Sequence, residues 1–297
     1  MATNVTTSAE TRLSKSANFA RVREIEFVNI FNSNIRQLVR ALGVTRMIPK
    51  ESGAVLKVLK VTGTLQDGST VGEGEIIPLS EFQTTWETVG NITLKKWRKA
   101  TSIEAINEKG YDQAVTATTD KMLKLIQGGI RSDFFTFLAT GGTATSGVGF
   151  QNALANTWGQ LQVLFEDNDI EAVYFMNPLD VAQYLGTHTI TLETVFGMSY
   201  VKNFLGLGDV FFSSSVPSGK IYATAKENIV CYFVKADAPD ISDAFDFYTD
   251  DTGLIGIKEI ANYERDTVDD SVVSGVTFFA EKLDGIVVAT INEIPST

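Results

Sequence analysis

At 297 residues and 32.4 kDa, with 44% hydrophobic side chains, the chain can bury a large core and divide into two or more sub-domains. A net charge of −11 and a pI near 4.7 argue against a general binder of phosphate backbones. Mean hydropathy is +0.05, yet the longest purely apolar runs are about six residues, far below the roughly 20 that a membrane helix needs.

The opening residues, MATNVTTSAETRLSKSA, hold no apolar signal core, so export by the usual route is not expected. Without export, the glycosylation patterns at Asn4-Val5-Thr6 and Asn91-Ile92-Thr93 are chance matches. Residues 1 to about 20 are polar and rich in Thr and Ser, and read as an arm. From Arg21 to Gly43, the positions Ile25, Val28, Phe31, Ile35, Leu38, Val39 and Leu42 share one helical face, and Gly43 suits the C-cap.

Residues 54 to 99 then read as long strands about a tight turn at Gln66-Asp67-Gly68. With roughly 20 residues per arm at ~3.3 Å each, such a projection could reach about 60–70 Å. The body of a 32.4 kDa protein cannot cover a hairpin of that length, so something else must pack on it. Its charges look segregated. Lys57, Lys60, Lys95, Lys96, Arg98 and Lys99 lie toward the base, and Asp67, Glu73, Glu75, Glu81 and Glu87 lie in the distal part. That pattern suits head-to-tail contact with an identical neighbour, and it equally fits ordinary mixed surface charge.

A long helix follows, with Asp112 as its expected cap and Val115, Thr119, Met122, Ile126, Ile130, Phe134 and Leu138 on one face. Gly128-Gly129 inside it suggests a bend or a close crossing. The stretch TGGTATSGVG reads as a flexible loop, and FQNALANTWGQLQVLFED as an amphipathic helix. Ala172 to Met176 is a short apolar run expected as a buried strand. Asn177 offers an N-cap oxygen, Pro178 suits the first helical position, Leu179, Ala182 and Leu185 recur at helical spacing, and Gly186 can end the turn. Strands are expected at DVFFSS, KIYATA and IVCYFV, and again through LIGIKEIANYE and SVVSGVTFFAEKLDGIVVATI, which should return against the long helix.

Reactive chemistry is sparse. His188 is the single histidine and Cys231 the single cysteine, so paired-His and CxxC metal sites are ruled out, as is an internal disulfide. Cys231, in the strand-like NIVCYFV, is expected in the core, which fits a reducing compartment. Gly219-Lys220 lacks the rest of a phosphate-binding loop, and Gly147-Val148-Gly149 lacks the third glycine of a dinucleotide fingerprint. His188 could serve as ligand or base, with a structural role the commoner meaning. Lys95-Lys96-Trp97-Arg98-Lys99 could form a nucleic-acid patch, although a solvated strand flank is the commoner meaning. Asp237, Asp240, Asp243, Asp246, Asp250 and Asp251 could hold calcium, but Asp251 falls where an EF-hand loop needs glycine. A solvated acidic loop is therefore expected. No catalytic, cofactor-binding or metal residue is assigned, and the strand–helix junction at Asn177-Pro178 reads as scaffold.

The order of elements resembles the major capsid proteins of tailed bacteriophages, the Hong Kong 97-like fold, from about Glu24 to Ile291. The resemblance rests on EFVNIFNSNIRQLVRALGVTR, VGEGEIIPLSEF with KKWRKATSIEAI, AVYFMNPLDVAQYLG, VKNFLGLGDVFFSSSVPSGKIYATAKENI and the strand-rich end from Leu254 to Ile291. It implies an α+β fold. Residues 1–52 would form an N-terminal arm and 53–101 an extended loop over a neighbouring subunit. Residues 102–144, with a spine helix, and the return strands of 255–297 would form a peripheral domain, and 145–254 an axial domain. Implied partners are further copies of the chain as hexamers and pentamers, a separate scaffolding protein, portal and decoration proteins, and packaged DNA contacted non-specifically. No cofactor, membrane or enzymatic activity is implied. The implied location is the virion capsid, assembled in the host bacterial cytoplasm. An arm this short before Arg21 leaves no room for a built-in scaffold, and no residue can be assigned to autocatalytic cross-linking. An encapsulin-type shell shares the fold, and a cytosolic α/β enzyme using the acidic segment is an alternative of another class.

Overall fold

The computed structural model describes residues 16–292 apart from 45, 67–70, 73–74, 166–169 and 188–190. In chain order the first elements are α1 (Ser16–Ala41), β1 (Met47–Pro49), β2 (Val55–Thr64), β3 (Glu81–Asn91), β4 (Lys95–Ser102) and α2 (Ile103–Lys109). A π turn at Asp112–Thr116 leads into α3 (Ala117–Leu138), followed by β5 (Thr143–Val148), α4 (Phe150–Leu164), β6 (Ala172–Met176) and α5 (Pro178–Thr187). Next come β7 (Glu193–Val195), β8 (Met198–Phe204), β9 (Gly208–Phe212), β10 (Lys220–Ala225), β11 (Ile229–Phe233) and α6 (Pro239–Ser242). The chain closes with β12 (Ile255–Asn262), β13 (Thr267–Ser274), β14 (Thr277–Ala280) and β15 (Val287–Asn292). It divides into two compact units, the larger formed by 35–94, 129–234 and 275 onward, the smaller by the described residues up to 34, 95–128 and 235–274.

The larger unit is built on a seven-stranded mixed sheet, β5-β15-β10-β6-β9-β8-β7. At its centre β6 pairs antiparallel with β10 and parallel with β9, and all five of its residues are buried. An unbroken apolar run fits that place because both faces of a central strand are covered. Side-chain alternation sends Ala172, Tyr174 and Met176 into one cluster with Leu154 and Leu161 of α4, Val181 of α5, and Ile221. Phe175 enters an aromatic cluster, its ring 5.5 Å from Phe134, 5.4 Å from Phe135 and 5.6 Å from Phe211. Full burial of such side chains contributes about 1.5–3 kcal/mol each.

The junction after β6 forms as its residues require. Asn177 accepts the Leu179 N–H at its Oδ1 (3.0 Å) and donates through Nδ2 to the Val216 carbonyl (2.8 Å). The face of α5 differs from expectation: Leu179 and Ala182 are exposed, while Val181, Tyr184 and Leu185 meet the core, and the helix runs past Gly186 to Thr187. TGGTATSGVG is also more ordered than a loop, since Thr143–Val148 pairs with β15 along its length. Gly147 serves packing there, because a Cβ would sit 2.7 Å from the Asn152 carbonyl carbon at the start of α4. A separate sheet, β1-β11-β14, buries Cys231, whose thiol is pushed up to about 12 by its burial.

In the smaller unit the sheet is β12-β13-β4, with Lys95–Ser102 antiparallel to β13 over eight pairs. Polar groups anchor its helices. Arg23 of α1 grips the Glu259 carboxylate on β12, Tyr111 donates to the same carboxylate (2.7 Å), and Glu24 accepts the Glu259 N–H (2.8 Å). On the neighbouring strand, buried Asp270 pairs with Lys99 (2.9 Å) and accepts from Thr119 of α3 (2.7 Å). Asp112 is no cap: Tyr111 holds the N-cap position and makes no side-chain capping bond. The helix runs unbroken through Gly128-Gly129.

Two outcomes follow from this packing. Gly147→Ala should lose about 1–3 kcal/mol in denaturant unfolding, since backbone must move to admit the methyl group. In the same helix–strand layer Gly159→Ala, with open space at its Cβ, should gain about 0.5–1 kcal/mol from helix propensity.

The second outcome concerns acid. The Arg98 guanidinium bonds the Asp269 carboxylate and holds it below the usual carboxylate range. A depressed folded pKa contributes stability above the unfolded value near ~3.9 and loses it as pH falls through the folded one. Asp269→Asn should therefore lower the urea midpoint at pH 7 and flatten its decline below about pH 4; equal acid limbs in the two proteins would contradict the pairing.

Candidate functional site: an exposed amphipathic hairpin

The feature least satisfied by the chain itself is the hairpin of β2 and β3. Its ladder runs from Val55↔Asn91 to Thr64↔Glu81, with an irregularity at Leu56/Lys57, and these two strands form a sheet of their own. Ten paired residues span about 33 Å. That is half the expected projection, because Lys95–Ser102 leaves the hairpin for β13. The basic cluster at 95–99 is accordingly not the root of the hairpin. Arg98 and Lys99 are engaged by Asp269 and Asp270, Lys95 is also partnered, and Glu87 lies opposite Val58, level with Lys57 and Lys60. The expected split of basic root and acidic tip is thus corrected; Asp67, Gly68 and Glu73 lie outside the described residues.

The base is anchored. Leu56 and Ile92 are buried with Val230, Tyr232, Val234 and Phe279, and Val89 and Leu94 pack against them. At Gly90 a Cβ would stand 2.6 Å from the Phe279 ring, so this turn of strand must be glycine for the aromatic to seat. The Tyr232 hydroxyl, desolvated there, is pushed up to about 12. Further out, Lys60 pairs with Asp284 (2.6 Å), which raises the Lys60 ammonium through that hydrogen bond.

Beyond the base the two faces differ. Register places Leu59 opposite Trp86 and Gly63 opposite Phe82, so Leu59, Val61, Phe82 and Trp86 share one face. The Phe82 ring lies over Gly63, where a Cβ has no room. Thr62, Thr64, Glu81, Gln83, Thr85 and Glu87 share the other face with Lys60. The apolar face is uncovered: Trp86 is 68% exposed and Phe82 61%, and along the connection Ile76 and Leu79 exceed 90%. A row of large apolar side chains on a two-stranded ribbon marks an interaction surface.

The other candidates carry less. His188 lies outside the described residues. The acidic stretch does not gather into a cage: Asp246 pairs with Lys258 (2.6 Å), and Asp250 accepts from the Thr252 N–H (3.0 Å) within its own turn. Among the described residues no group of three His, Cys, Asp or Glu side chains could hold a metal ion, and no helix is long and apolar enough to cross a membrane. A cleft of about 320 Å³ beside β6 and β9 holds Lys226 between Asp209 (2.7 Å) and Glu171 (2.9 Å).

No family model matches the sequence, and no curated protein matches it. Solved structures do match in fold. The chain is similar to the virus-like particle from Pyrococcus furiosus at 13% identity and TM-score 0.52, covering 91% of this chain and 99% of that one. It is similar to the capsid asymmetric unit of cyanophage A-1(L) at 11% identity and TM-score 0.53, covering 85% and 91%. A structure from Gordonia phage Cozz matches at 12% identity and TM-score 0.52, covering 86% of each chain. At these identities the likeness is one of fold: the chain has the α+β, Hong Kong 97-like capsid-protein fold.

The spread of the aspartates makes a direct prediction. Adding a chelator should leave the melting temperature unchanged, since a structural calcium would stabilise the folded state by mass action. A drop of several degrees, reversed by added calcium, would show a cage that the described residues do not form.

Proposed function

We propose that the chain is the major capsid protein of a tailed bacteriophage, assembling as hexamers and pentamers into the icosahedral shell around a double-stranded DNA genome. The observation that carries this reading is the anchored hairpin whose apolar face none of the described residues covers. A single copy leaves Leu59, Val61, Phe82 and Trp86 about half to two-thirds in water, and each gains roughly 25 cal/mol for every Å² of that remaining apolar surface a neighbour buries. A fold shared with a phage capsid and a virus-like particle supports the same reading.

On this reading the expected divisions are 1–52 as N-terminal arm, 53–101 as extended loop, 102–144 with 255–297 as peripheral domain and 145–254 as axial domain, although 95–101 pair with β13 and the residues from 275 onward belong to the compact unit that holds 129–234. The protein is structural rather than enzymatic. Its partners are further copies of itself, a separate scaffolding protein, portal and decoration proteins, and DNA contacted non-specifically. It would assemble in the host bacterial cytoplasm and reside in the virion.

A second reading is an encapsulin-type shell around cargo proteins. The fold likeness to the Pyrococcus furiosus virus-like particle is compatible with a shell of either kind. Negative-stain microscopy with size-exclusion chromatography tests the shared part of both readings: closed particles or capsomers are expected, and a persistent monomer would overturn them. Portal and terminase genes beside the coding sequence would favour the phage, and a cargo gene the compartment.

The hairpin itself can be tested. Trp86→Ser should leave the unassembled subunit within about 0.5 kcal/mol of the parent, as exposed substitutions usually do. It should nevertheless lower particle yield, read from sedimentation. Normal yield from this variant would remove the hairpin from the assembly account.

A further inference from the structure

The tight turn Leu283–Gly285 joins β14 to β15 and meets several demands at once. Gly285 is buried, and a Cβ there would stand 2.6 Å from the Phe165 ring and 3.2 Å from the Asn228 amide nitrogen, so packing admits only glycine. Its carbonyl accepts the Thr224 hydroxyl (2.9 Å), and the Asp284 carbonyl accepts the Thr143 hydroxyl (3.1 Å). The Asp284 side chain is half-exposed and pairs with Lys60 of β2 at 2.6 Å. The fold thus fixes an Asp-Gly step whose carboxyl is in contact with water. Such a step is chemically labile, because glycine lacks the Cβ that would keep its nitrogen away from the preceding carboxyl.

We propose that Asp284 is a site of spontaneous isomerisation to isoaspartate, and that Lys60 governs the rate. The Gly285 nitrogen attacks Asp284 Cγ, and the new C–N bond closes a five-membered succinimide. The N–H proton and one proton drawn from solvent leave with a carboxylate oxygen as water. Water then opens the ring. Cleavage of the bond to Cγ restores aspartate, cleavage of the original peptide bond leaves isoaspartate, and either opening returns the solvent proton. No oxidant, cofactor or second protein enters the balance.

Two restraints oppose the attack. The Gly285 N–H is committed to the Lys282 carbonyl (3.0 Å), and the Lys60 ammonium holds a carboxylate oxygen, which keeps Cγ from rotating onto the nitrogen. An exposed ion pair opens readily, and each opening leaves Asp284 free to turn. The product changes the hairpin's footing. Isoaspartate adds one methylene to the main chain and carries its carboxylate directly on Cα, one carbon short of its former reach to Lys60. The polar face of the hairpin then loses its tie to Asp284, and the Thr143 and Thr224 bonds must re-form around a longer turn. This property belongs to the single subunit, whether or not it builds shells.

Peptide mapping after incubation of the folded protein in warm, near-neutral oxygen-18 water tests the assignment. Each ring opening introduces one heavy oxygen. Trypsin, applied afterwards in ordinary water, cuts after Lys282 and releases 283–297, in which fragment ions place the label. Heavy oxygen at residue 284 and a second chromatographic form of the peptide are expected. Lys60→Met should raise the labelling rate roughly threefold, the weight of one exposed ion pair, and Lys60→Arg should keep the parent's rate. Asp284→Glu, which retains a carboxylate for Lys60 but would need a six-membered ring, should take up no label. The chain's other Asp-Gly step, Asp67-Gly68, supplies a reference in the same digest. Label at 67 without label at 284 would overturn the site. Equal rates at 284 in the parent and Lys60→Met would overturn the part given to Lys60.

Discussion

Burial of β6 on both faces is the constraint on which the larger unit depends. Five residues with no polar side chain among them except the Tyr174 phenol, which desolvation keeps protonated far above its usual range, demand cover from two layers. One layer comes from α4 and α5, the other from the phenylalanines of α3 and β9. The order of strands follows, because only a central position gives a strand two neighbours and two covered faces. Asn177 then turns the chain sharply enough for α5 to cover the face that β6 has just presented.

The smaller unit is organised on different terms. Its helices meet its sheet through Arg23, Tyr111 and Glu24 on Glu259, and through Lys99 and Thr119 on Asp270. Apolar contact tolerates a slide along a helix by a few ångströms, whereas a forked guanidinium on a carboxylate does not. Such pairs set register more than they add net stability, since desolvation offsets much of their attraction.

The hairpin joins the two themes. A two-stranded ribbon alone is marginal in water, and here its base is tied down by Leu56, Ile92 and the Phe279 ring seated on Gly90. Its polar face reaches Asp284 through Lys60, and its apolar face looks outward. That inversion of the usual pattern leaves an apolar surface of the kind that marks an interaction site.

Local signals in the sequence determined much of this. The apolar face of α1 through Val28, Phe31, Ile35 and Leu38, the buried run of β6, the Asn177 cap and the strands around Cys231 all follow from periodicity and capping chemistry. The resemblance carried by the order of those elements led to the fold. Other features depended on contacts between residues far apart in the chain. TGGTATSGVG looks like a loop until β15 offers it a ladder and α4 needs the missing Cβ of Gly147. Leu179 reads as core because helical spacing alone cannot tell which face of α5 the sheet will cover. The basic run at 95–99 looks like the root of the hairpin because strand propensity does not name a partner; Asp269 and Asp270, about 170 residues later, supply the charges that draw β4 away to β13. Propensity and period are written in neighbouring residues, so the sequence alone decides them. Strand partners, and the face a helix buries, are set by which distant surfaces gain most from meeting, and only the tertiary structure decides that.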